Sequence, residues 1–236
     1  MKEYTFQGLM SPEALASASA EIPQLISNLS RGLTYLEVAL HNSRNNDSAK
    51  DLSELETLNM SLPFIILTNL NSSKFLLDRG LVYESQVITR TAFETLHLLV
   101  FMYNKPHKAE KLYNSTFPQN GRIFDFMFSK LIKVLPEEQR LHRQELYSWF
   151  CKFSHPTGMA FFSYAEMDGK NFQSAFYKFS FSILLAVLNL VLDELLSISL
   201  ISNQGDVDQL RSFLSKSDSH VIEYLRTNSI LEFLSE

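Results

Sequence analysis

Three features of the 236-residue sequence predict an all-α, multi-helix bundle. Apolar residues recur at helical spacing through most of the chain, as in Leu25, Ile26, Leu29, Leu33, Leu36 and Leu40. Glycine and proline are scarce, at seven each, which disfavours a turn-rich β fold and low-complexity disorder alike. A hydrophobic content of 45% lets one chain of this length bury a sizeable core. The sequence therefore predicts one all-α domain over 1–236, with its core at about 51–202.

Residues 1–10 read as a lead-in. Ser11, Pro12 and Glu13 supply a capping side chain, a first-turn proline and an early carboxylate, a helix start. Pro23 ends or kinks that segment, and an amphipathic helix follows from Gln24 to about Ser43. The run from Asn42 to Ser48, NSRNNDS, is a loop by composition.

A second long helix is expected over 51–77, bent or restarted at Pro63 and closed by Asp78-Arg79-Gly80, where glycine suits the left-handed terminal position. The helix at 82–103 returns antiparallel to it and stops before Pro106. Shorter helices are expected at 107–117 and 123–134, separated by the turn cluster FPQNG. Pro136-Glu137-Glu138 opens a helix over 138–154, and Pro156 biases His155 out of it. Residues 157–169 read as a loop carrying Phe161, Phe162 and Tyr164.

The longest apolar stretch is Phe172 to Ile201, within a helix expected over 172–202. Asn189 and Asp193-Glu194 break its central run after 14 residues, short of the roughly 20 that a bilayer requires, so a buried core helix is expected and no membrane contact. Asn203-Gln204-Gly205-Asp206 ends it, and one or two amphipathic helices complete the chain.

The net charge of −5 and a pI near 5.7 argue against a general nucleic-acid surface. The Lys105/Lys108/Lys111 and Arg140/His142/Arg143 clusters read as solvated faces. The one cysteine, Cys151, cannot form an intrachain disulfide and reads as core packing. The opening residues have no apolar run after their lysine, so the expected location is the cytoplasm.

Chemistry concentrates on the helix at 82–103, where Arg90, Glu94 and His97 follow one another at i, i+4 and i+7 on one face, among apolar neighbours. Two readings stand open. In the structural one, Arg90 neutralises Glu94, His97 bonds a carbonyl or a partner helix, and the trio sets helix register in a homodimer. Loss of Arg90 would then cost roughly 3–5 kcal/mol by stranding a buried carboxylate. In the functional one, His97 or His155 acts as acid or base and Arg90 stabilises a developing phosphate charge. His155, in FSHPTG, stands at a helix–loop junction, where functional side chains are often held. Glu94-x-x-His97 has the spacing of a di-iron carboxylate pair, but no other Glu precedes a His by three. No metal or cofactor is expected, since zinc, Walker and dinucleotide motifs are missing.

The segment LLDRGLVYESQVITRTAFETLHLLVF, followed some fifty residues later by LYSWFCKFSHPTG, resembles the paired hallmarks of a family of uncharacterised bacterial all-helical, HEPN-like proteins. The resemblance covers roughly 55–200 and singles out Gly80, Arg90, Glu94, Ser154 and His155. It implies a HEPN-like core with peripheral helices, and a site binding a partner or ligand through Arg90, Glu94 and Ser154. Arg90-x6-His97 also has the spacing of metal-independent HEPN ribonucleases, although Thr91 stands where Asn, Asp or His is customary. The alternative it implies is a ribonuclease or phage-defence toxin acting on RNA. A homo-oligomer is the expected state.

Overall fold

The computed structural model describes residues 10–46, 54–108, 110, 128–154 and 170–227. These residues are helical with short connections, and no strand occurs among them. We number the helices α1 (Pro12–Ala20), α2 (Pro23–Asn46), α3 (Glu54–Leu77), α4 (Val82–Asn104), α5 (Phe128–Leu131), α6 (Glu137–Ser154), α7 (Lys170–Ser197) and α8 (Gln204–Thr227). A 3-10 turn, Ile132–Val134, prolongs α5.

Local chemistry sets most boundaries. The Ser11 hydroxyl accepts from the Ala14 amide at 3.2 Å and caps α1. Pro23 occupies the first position of α2, where its missing N–H has no cost, so it starts a helix rather than kinking one. Pro63 lies inside α3, which passes through it without a restart. Gly80 closes α3 at φ 73°, with Leu81 N–H on the Leu76 carbonyl and Gly80 N–H on that of Leu77.

Two helix ends differ from expectation. The last apolar helix stops at Ser197 rather than running to 202, because Ser199 takes φ 56° and Leu200 N–H reaches back to the Leu195 carbonyl. That is the motif Gly80 forms, built on a serine. Residues 204–206 do not break the chain for long: Asn203 Oδ1 accepts from the Asp206 amide at 3.2 Å, starting α8, one helix as far as Thr227. The expected helices at 107–117 and 123–134 lie largely outside the described residues, as do the FPQNG turn and the 157–169 loop.

The apolar window Phe176–Ser197 is longer than the predicted run, 22 residues at mean hydropathy 1.9, because its serines and Asn189 fold into the helix without interrupting it. By length and composition it is able to cross a membrane, but 67% of it is buried by the other helices. Leu184, Leu188, Val191 and Leu195 are fully buried. Asn189 is held by α8, donating to Asp218 at 2.7 Å and accepting from Ser217 at 3.0 Å.

Helix α7 is the hub, packing against α1, α2, α3, α4 and α8. The core therefore extends beyond 51–202: Leu29 and Leu36 of α2 are as buried as any residue of α4, and Leu40 is nearly so. Gly32 lets α2 close on α7 and α8, since a Cβ there would lie 2.7 Å from Leu188 Cδ2 and Phe213 Cζ. The antiparallel α3/α4 pair is joined by a buried hydroxyl cluster. Ser73 Oγ lies 2.9 Å from the Ser85 carbonyl, 2.7 Å from Ser85 Oγ and 2.5 Å from Thr89 Oγ1. Small hydroxyl side chains at this seam satisfy one another, so α4 is fixed in register before its other face meets α5 and α6.

Candidate functional site

Helix α4 presents Arg90 and Glu94 at the edge of its contact with α6. Their predicted i,i+4 pairing is present, with Arg90 Nε donating to Glu94 Oε1 at 2.9 Å. Neither is deeply buried: the side chains are 19% and 37% exposed. From α6, Tyr147 completes the arrangement, its hydroxyl accepting from Arg90 Nη2 at 3.0 Å while the guanidinium carbon lies 5.0 Å from its ring centre. Burial works against the Arg90 charge, but the bond to Glu94 and the nearby Glu94, Tyr147 and Cys151 groups outweigh it, leaving the guanidinium pKa raised. Burial, reinforced by Glu94, raises the Tyr147 phenol pKa as well. At neutral pH the site therefore holds a fixed cation and a neutral phenol, with the partly exposed Glu94 side chain beside them.

His97 does not join them. Its side chain is buried two turns further along α4, with Nδ1 2.7 Å from the Phe93 carbonyl. A carbonyl only accepts, so the proton of the neutral ring is on Nδ1. The ring lies 4.4 Å from that of Phe93 and 5.0 Å, edge-on, from that of Phe128. Burial, with a smaller push from Arg143, lowers its pKa to about 4. His97 is thus neutral at pH 7 and walled off from the surface, a poor position for the acid–base role expected of it. No group of three His, Cys, Asp or Glu side chains that could hold a metal ion occurs among the described residues.

This burial has a pH signature. The unfolded chain takes up the His97 proton near pH 6.5 and the folded chain only near 4, so stability is full above 6.5 and falls as pH drops through that window. Urea unfolding at pH 7 and pH 5 should show wild type losing about 2 kcal/mol more than His97→Phe. Parallel losses would place the proton elsewhere.

Near His97, a second ion pair joins α6 to α7: Arg143 Nη2 donates to Glu194 Oε1 at 3.0 Å, the side chains 16% and 11% exposed. Burial depresses the Arg143 pKa, with Glu194 opposing it. Arg143 and Tyr147 are four residues apart on α6, so one helix face meets both α4 and α7 with polar groups. Arg143, expected on a solvated face with Arg140 and His142, is instead drawn into this pair, and Tyr147 is the second polar group of that face. Their i,i+4 spacing beside Phe150 and Cys151 was the available signal.

Gln86 lies one turn before Arg90 and is 1% exposed, yet among the described residues neither Oε1 nor Nε2 has a hydrogen-bond partner. Replacing it with methionine, close in shape and without the desolvated amide, should raise stability by about 1–3 kcal/mol in urea unfolding. A fall instead would show that the amide is bonded in solution.

Ser154 is the last residue of α6, and its side chain lies outside the described residues, as does His155 altogether. By helix geometry the Ser154 backbone stands two turns beyond that of Tyr147, about 10 Å along the axis. Of the residues the resemblance singles out, the structure therefore places Gly80, Arg90 and Glu94, and Ser154 as the last residue of α6. Comparison with known proteins finds no matching family model, no matching curated protein and no matching solved structure.

Proposed function

We propose that this chain is a cytoplasmic, HEPN-like helical protein that binds an anionic ligand at the α4/α6 seam, with Arg90 as the anchor. The observation that carries this reading is the seating of Arg90. Glu94 and Tyr147 fix the guanidinium from two sides while leaving it partly open to solvent. A held guanidinium suits phosphate or carboxylate, whose oxygens it meets without reordering its own side chain. Glu94 adds an acceptor and selects for a ligand that also carries donors.

Thermal melting tests this with inorganic phosphate, a nucleoside monophosphate and short single-stranded RNA, all with chelator present. Binding to the folded state raises the melting temperature by mass action. Wild type should shift with at least one probe, and Arg90→Lys, which keeps the charge but loses the fork, should shift less. No shift with any of the three overturns the reading. RNA cleaved by wild type but not by a folded His155→Ala variant would replace it with the ribonuclease reading.

A further inference from the structure

We infer that His97 is a positioning residue for the Arg90 site, acting through the rings of Phe128 and Tyr147. The inference rests on the ligand-binding reading of that site and gives a role to the one histidine that is buried among the described residues, which the reading leaves unused.

The chain of contacts is continuous. His97 is pinned by its 2.7 Å contact to the Phe93 carbonyl, which fixes both tautomer and ring orientation. Its ring meets that of Phe128 edge-on at 5.0 Å, and Phe93 closes on Phe128 at 5.4 Å. On its other side, Phe128 stacks on Tyr147, with centroids 4.0 Å apart and planes within 13°. Tyr147 then accepts from Arg90 at 3.0 Å. Phe128 is 5% exposed, so it has little freedom to move without a neighbour giving way.

Three elements contribute to this path: α4 supplies His97, α5 supplies Phe128 and α6 supplies Tyr147. The direction in which the phenol points is thereby set by packing that begins at His97. Among described groups, Arg143 from α6 is the charge that faces His97, and it is engaged by Glu194 of α7. A neutral imidazole fits beside that cation as well as against the two phenylalanine rings. An aromatic ring of similar size fits the same place, whereas alanine leaves Phe128 room to tilt and takes the support from Tyr147.

The test places 3-fluorotyrosine at position 147 of the full chain and follows its fluorine resonance, with folding checked by circular dichroism. His97→Ala should displace or broaden the resonance, and His97→Phe should return it towards the wild-type position. Leu36→Ala, an equally buried truncation on α2, should leave it unmoved. An unmoved resonance in folded His97→Ala overturns the inference. So does equal displacement by Leu36→Ala, which would reveal general loosening. Should His97→Ala not fold, Phe128→Leu takes its place, and an unmoved resonance there is equally decisive against the path. Failure of the binding reading is seen separately, as a wild-type protein that none of the three anionic probes stabilises.

Discussion

Arg143→Ala is expected to lower stability by about 3–5 kcal/mol, measured from urea midpoints at pH 7, because it strands Glu194 between α6 and α7. Glu194 sits near the end of the hub helix, 11% exposed at the side chain, with Arg143 at 3.0 Å as its cationic partner. Ser197 Oγ lies 3.4 Å from Glu194 Oε2 and donates to the Glu194 carbonyl, too little to replace a guanidinium. Removing both charges together, as Arg143→Met with Glu194→Gln, should restore much of the loss, since no unpaired buried charge then remains. Arg90→Ala provides the contrast. Its partner Glu94 is 37% exposed and stays hydrated, so the pair itself contributes only about 0–1 kcal/mol. The large penalty anticipated for Arg90 on the premise of a buried trio thus belongs to Arg143. Equal losses at the two positions would contradict this division.

What the sequence made legible was local. The limits of α4 agree with its apolar period to within a residue, and Arg90–Glu94 pairs because four residues are one helical turn. Pro12 and Pro23 mark starts, and Gly80 marks an end, through their own backbone limits. The end at Ser199 was not legible, because a serine at positive φ carries no sequence mark of its strain. Nor were the contacts that define the site. Tyr147 is 57 residues from Arg90, and Glu194 is 51 from Arg143, so each depends on how helices dock rather than on spacing within one. His97 shares the arc of Arg90 and Glu94, as its position predicts. Its separate fate comes from Phe128, whose ring covers it once α5 packs on α4. Periodicity gives the side of a helix on which a residue stands, but not what covers it further along the axis.

The same docking makes Phe93→Ala the second large effect, an expected loss of about 3–5 kcal/mol in urea unfolding. Phe93 is fully buried, and its ring lies 4.4 Å from His97, 5.4 Å from Phe128 and 5.6 Å from Phe150. Its ring touches those of Phe128 and Phe150 as well as the histidine, so its removal opens a hole where α4, α5 and α6 meet. The cost combines lost transfer energy with a cavity that three separate elements cannot all close, because α4 is held on its other side by Ser73, Ser85 and Thr89. Phe93→Leu, which keeps most of the volume, should lose less, and Leu141→Ala, at a residue 57% exposed, should stay within about 0.5 kcal/mol of wild type. A Phe93→Ala loss no larger than that of Leu141→Ala would mean that α5 and α6 collapse into the hole freely. In that case the Phe128–Tyr147 stack would not be rigid enough to seat Arg90, and the account of the site given by these distances would fail with it.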